Sequence, residues 1–104
     1  MTRLYVAGPM TGLPDFNYPA FNEAAHVLRE AGYEVENPAD NDARLTNPTR
    51  YDYLRAGLAQ LLICDGVAFL DEWWRSGGAR WEVDTAGILD LPVRSVFDWL
   101  AVQP

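Results

Sequence analysis

Short apolar runs alternate with helical patterns along the whole chain. Leu4-Tyr5-Val6-Ala7 reads as a strand that ends in Gly8-Pro9-Met10-Thr11-Gly12. Residues 13–19, with Pro14 and Pro19, read as a loop. From Ala20 the pattern turns helical. Phe21, Ala24, Ala25, Leu28 and Ala31 recur at helical spacing, and Gly32 stops the helix. Tyr33-Glu34-Val35-Glu36 is a second strand, closed by Asn37-Pro38. Residues 39–49 are polar and rich in turn formers, which predicts a loop. A second helix carries Tyr51, Leu54, Leu58, Leu61 and Leu62 on one face. Gly66-Val67-Ala68-Phe69-Leu70 is the most apolar strand and is placed centrally. Residues 71–78 read as a loop, 79–89 as a third helix and 92–97 as a fourth strand, with the chain ending soon after.

This order, βαβαβαβ, predicts one α/β domain over residues 1–104. Its sheet is parallel, of four to five strands, with right-handed crossovers and helices on both faces. Ligands of such sheets sit beyond the carboxyl ends of the strands. There is no internal repeat and no low-complexity segment.

Composition narrows the function. The formal net charge is −7, so a nucleic-acid polymer, which needs a basic face, is not an expected partner. A single nucleotide stays open, because local backbone donors bind phosphate against the global field. All eight basic residues are arginines. The one cysteine, Cys64, excludes an intrachain disulfide and reads as a small buried hydrophobe. The amino end enters a strand directly, so no leader is expected, and no apolar run reaches membrane-spanning length. The expected compartment is the cytoplasm. Neither a metal nor a cofactor is expected, since nothing has metal-ligand spacing.

Chemistry gathers on the loops that leave the strands. Gly8-Pro9-Met10-Thr11-Gly12 lets a backbone approach a ligand closely, or serves only as a tight turn. Ser76-Gly77-Gly78 opens the third helix. It is an anion site through orphan N–H groups, or Ser76 is a helix cap, and the two roles are compatible. Ala79, Glu82, Ala86 and Leu89 share one helix face, and a carboxylate on that face is costly unless paired or used. Tyr5, just before the glycine loop, can hydrogen-bond Glu82 or be a core aromatic. Asp65 reads as a turn or cap residue that can also contact a ligand. Trp73 and Trp74 either stack a base or cover an oligomer interface. Arg75 and Arg80 flank the Ser-Gly-Gly turn and pair with phosphate or with Asp71 and Glu72.

Together these segments resemble a family. Residues 4–12 are joined to Phe16-Asn17-Tyr18-Pro19-Ala20-Phe21, then to Cys64-Asp65-Gly66-Val67-Ala68-Phe69-Leu70, Trp73 and Ser76-Gly77-Gly78-Ala79-Arg80-Trp81-Glu82. The pattern is similar to DUF4406 proteins of phages and bacteria, within the nucleoside 2-deoxyribosyltransferase-like superfamily, and spans nearly the whole chain. The resemblance implies a Rossmann-like fold and a reaction at the anomeric carbon of a nucleoside or nucleotide. It makes Glu82 the nucleophile and Tyr5 the residue that orients it. It places a phosphate on Ser76, and the sugar and phosphate end on Gly8, Pro9, Met10, Thr11 and Gly12; Gly77, Gly78, Asp65 and Trp73 are expected beside them as further substrate contacts. It also implies a homodimer or larger oligomer, with a neighbour completing the site. Two departures stand out. Relatives carry an aspartate, the expected acid, where this chain has Gly57, and the sequence offers no clear counterpart to the neighbour's contribution. Three functions follow: an N-glycosidase or deoxyribosyltransferase, a module that binds a nucleotide without cleaving it, or a small structural or interaction protein with a relic pocket.

Overall fold

The computed structural model describes residues 1–102. Four parallel strands form one sheet: β1 (Arg3–Ala7), β2 (Glu34–Glu36), β3 (Gly66–Phe69) and β4 (Val93–Ser95). Their spatial order is β2-β1-β3-β4, so β1 and β3 are the interior strands. Each parallel step is crossed by a helix: α1 (Tyr18–Glu30), α2 (Arg50–Leu62) and α3 (Gly77–Ile88). A fourth helix, α4 (Val96–Val102), follows the last strand.

The pleat of β1 divides the core. Leu4 and Val6 face one side, where they pack with Phe21, Ala24, Ala25 and Leu28 of α1 and with Trp99 of α4. Tyr5 and Ala7 face the other, against Leu61 of α2 and Ala86 of α3. Helices therefore cover both faces of a four-stranded parallel sheet, as the alternation of elements predicts.

The differences lie at boundaries. The loop at 13–19 contains the 3₁₀ segment Pro14–Asn17, a second 3₁₀ segment, Pro38–Ala43, runs into the loop at 39–49, and α1 begins at Tyr18 rather than Ala20. α3 begins at Gly77, because the Ser76 hydroxyl accepts the Ala79 N–H and caps it. Leu89 lies past that helix and is 46% exposed, so Val83, not Leu89, joins Ala86 in the core. The fourth strand is only three residues long. The 92–97 run is cut by Ser95, whose hydroxyl accepts the Asp98 N–H and starts α4. α4 places Val96, Trp99 and Leu100 on the core. Trp99 is held at both ends: its indole N–H donates to Val67 O, and its carbonyl accepts the Tyr33 hydroxyl. Among the described residues no helix is long and apolar enough to cross a membrane.

Candidate functional site

A cavity of about 840 Å³ opens beyond the carboxyl end of β1. Its walls are residues 8–11 after β1, the 3₁₀ segment Pro38–Ala43, the start of α2 and the first turns of α3. This is where an open parallel sheet is expected to hold its ligand.

The floor is a pair of side chains. Tyr5 is 1% exposed on an interior strand, and its hydroxyl donates to Glu82 Oε2. Glu82 reaches the cavity because Ala79 and Ala86, on the same face of α3, are small enough to bring that helix down onto the sheet. Burial pushes the Glu82 carboxyl up to about 7, while the Tyr5 hydrogen bond acts in the opposite direction. The Tyr5 phenol is raised well above its ordinary value, first by burial and then by the Glu82 charge, so it remains a donor. Gly57 of α2 is buried beside the pair: a Cβ there would lie 2.8 Å from Glu82 Oε2 and 2.9 Å from the Tyr5 hydroxyl.

One wall is the loop after β1. Gly8, Pro9, Met10 and Thr11 line the cavity. Gly8 has a packing reason to be glycine, since a Cβ would fall 2.7–2.9 Å from the Leu70 side chain. Gly12 does not line the cavity. It takes φ +85° in the turn where the Leu13 N–H donates to Met10 O. Asp15, Phe16 and Asn17 adopt left-handed backbone, with φ of 52°, 52° and 61°. The Asn17 amide donates to Pro9 O at 3.0 Å and ties this strained segment to the loop, which sets Phe16 and Tyr18 on the cavity wall.

The opposite wall is the start of α3. Ser76, Gly77 and Gly78 line the cavity. The Ala79 N–H goes to Ser76 Oγ and the Arg80 N–H to Ser76 O, while no protein acceptor among the described residues takes the N–H groups of Gly77 and Gly78. Ser76 is therefore a cap whose hydroxyl keeps a proton to donate. Arg75 lines the cavity and pairs with Glu72 at 3.6 Å; Arg80 is exposed and does not line it.

Of the residues expected at the site, Asp65 and Trp73, like Gly12, do not line the cavity. Asp65 stands at the amino end of β3, where its carboxylate accepts the Arg3 backbone N–H at 2.8 Å. That is a turn contact at the far end of the strand. Trp73 packs on Phe69 and Trp74, with ring centroids at 5.7 and 6.3 Å, and does not line the cavity. The sequence reading also missed lining residues. Asn41, Arg50, Tyr53 and Leu54 belong to a stretch read as polar loop and to the mouth of α2, and Glu72 to the loop before α3. A legible signal lay in Thr49 and Asp52, which form a capping box and so fix where Arg50 emerges. Among the described residues Arg50 is in no ion pair.

The family model described as "Domain of unknown function (DUF4406)" matches residues 2–95. A solved structure of a 2-deoxyribosyltransferase from the psychrotolerant bacterium Bacillus psychrosaccharolyticus superposes with a TM-score of 0.71 at 21% identity. The match covers 88% of this chain and 69% of that one. At that identity the likeness shows a shared fold. No curated protein matches the sequence.

Proposed function

The chain belongs to the DUF4406 family, and we propose that it binds a nucleoside or nucleotide and cleaves the N-glycosidic bond through Glu82. The observation that carries this reading is the Tyr5–Glu82 pair on the floor of the cavity. A cavity of about 840 Å³ lies within the range of small-molecule sites, roughly 300–1,000 Å³. The fold shared with a 2-deoxyribosyltransferase makes nucleosides the first class to test.

In this reading a Glu82 carboxylate oxygen bonds to the anomeric carbon as the carbon–nitrogen bond breaks. The base leaves with the electron pair and takes a proton from water. Water then attacks the same carbon and gives its proton to the hydroxide left by the first step, while the carbon–oxygen bond to Glu82 breaks and the carboxylate is restored. Tyr5 holds the carboxylate in place and offsets part of its negative charge. Only the ionised Glu82 attacks, so the rate rises with pH through about 7. Phosphate, where the ligand carries one, meets Ser76, Gly77 and Gly78 at the start of α3, with Arg50 and Arg75 alongside.

One observation favours the binding module. α2 presents Gly57 beside Glu82, so no acid stands there to protonate the leaving base. The other cavity carboxylate, Glu72, is paired with Arg75. General acid catalysis contributes roughly 10²–10⁴-fold, so turnover without it is slow. A thermal-shift panel of nucleosides and nucleoside monophosphates tests the shared premise. A ligand at about 100 times its Kd adds about 2.7 kcal/mol and raises Tm. If no nucleoside or nucleotide raises Tm, both readings fall.

A further inference from the structure

Gly57 lies in the interior of α2, where glycine costs about 1 kcal/mol relative to alanine. Its backbone gives no reason for that choice, because it is helical and has no positive φ. Space gives one. A Cβ at 57 would meet Glu82 Oε2 at 2.8 Å and the Tyr5 hydroxyl at 2.9 Å, and its next neighbour is Tyr5 Cζ at 3.9 Å. The crowding falls on the floor pair and on nothing else.

We propose that Gly57 is a positioning residue: the bare backbone of α2 at this point is the seat that holds the Glu82 carboxylate on the Tyr5 hydroxyl and keeps water from its back. The two partners differ in freedom. Tyr5 is 1% exposed and packed in the sheet, whereas the Glu82 carboxylate is the end of a flexible side chain. A methyl group at 57 therefore crowds both partners, and the Glu82 carboxylate gives way further than the packed Tyr5 ring. The carboxylate moves toward the cavity, gains water and loses the short contact with the phenol. Tyr18, Arg50, Tyr53, Glu72 and Arg75 also surround the cavity, but among the described residues only Tyr5 hydrogen-bonds Glu82. The consequence for turnover rests on the function proposed above; the seat itself belongs to the ligand-free protein.

Two measurements on the full chain without ligand test it. In a carbon-13 titration of glutamate carboxyls, Glu82→Gln assigns the Glu82 signal, whose expected midpoint in the wild type is about 7. In Gly57→Ala its midpoint falls toward the ordinary value of about 4.3, because regained water, which acts on the larger cause of the shift, outweighs the lost Tyr5 hydrogen bond. An unchanged midpoint overturns the proposal. The second measurement also serves if Gly57→Ala does not fold. Glu82→Asp withdraws the carboxylate by one methylene and relieves the closer of the two contacts, leaving the one with the Tyr5 hydroxyl. Gly57→Ala should therefore lower Tm less in the Glu82→Asp background than in the wild type. Equal losses, or a double variant that is unfolded where Glu82→Asp alone is folded, reject the seat. A protein that passes both tests and yet binds no nucleoside keeps the seat and loses only the functional reading.

Discussion

Glu82 governs the energetics of the site because its carboxylate faces a protein wall on one side and a cavity on the other. Its raised ionisation is a statement about stability. Between about pH 4.5 and 7 the folded protein holds a proton that the unfolded chain has released, so stability falls as pH rises through that window and levels off above it. The shift corresponds to about 3 kcal/mol as an order of magnitude. Urea unfolding of the wild type and Glu82→Gln at pH 5 and pH 8 checks the sign: the wild type should lose stability relative to the variant as pH rises. A gap that stays constant would contradict the desolvated carboxylate. Glu82 and Tyr5 were legible in the sequence, because a carboxylate among small residues at helical spacing stands out. The role of Gly57 was not legible as a seat. Its significance depends on how closely α2 approaches the floor pair, and no local pattern encodes that distance.

At the level of elements, α3 carries the site because Ser76 fixes where it starts. Losing that cap costs about 1 kcal/mol, so Ser76→Ala should lower the urea midpoint by a corresponding amount. If the same hydroxyl also meets a phosphate, Ser76→Ala should weaken nucleoside monophosphates more than the parent nucleosides in titration calorimetry. Equal weakening would leave Ser76 as a cap alone. The strands and long helices could be read from apolar spacing, since each buries a face of one period. α4 could not. It is seven residues long, and its first residues, Val96 and Phe97, are strand formers that continue the run from Val93. Asp65, which keeps the turn role read for it, and Trp73 lie off the cavity for a related reason. Both flank strand β3, but one belongs to its amino end and the other packs sideways on Phe69.

Across the whole molecule, β1 joins the two halves of the core. Leu4 and Val6 bind it to α1 and α4, while Tyr5 and Ala7 bind it to α2 and α3. The placement of the Tyr5–Glu82 pair on one face therefore depends on packing on the other. Trp99 is the largest link on the far face, buried to 4% exposure and bonded to Val67 of the neighbouring strand. Trp99→Ala should cost roughly 3–5 kcal/mol, a large share of the roughly 5–15 kcal/mol that holds such a domain. Chemical denaturation should show this loss, and a loss below about 1 kcal/mol would show that α4 does not anchor the sheet. The net charge of −7 limits how anions are met. A phosphate on the ligand proposed above would have to be met at close range, by the N–H groups that open α3 and by the arginines beside them, and not by the protein's overall field.

The most direct test of the glycosidase reading is chromatography for free base, with the wild type and Glu82→Gln incubated side by side with the nucleosides or nucleotides that raise Tm. Release by the wild type, rising with pH through about 7 and absent in Glu82→Gln, is the predicted result. Equal release by both proteins, or none by the wild type, would contradict Glu82 as the nucleophile; in the second case the cavity would be left as a binding site.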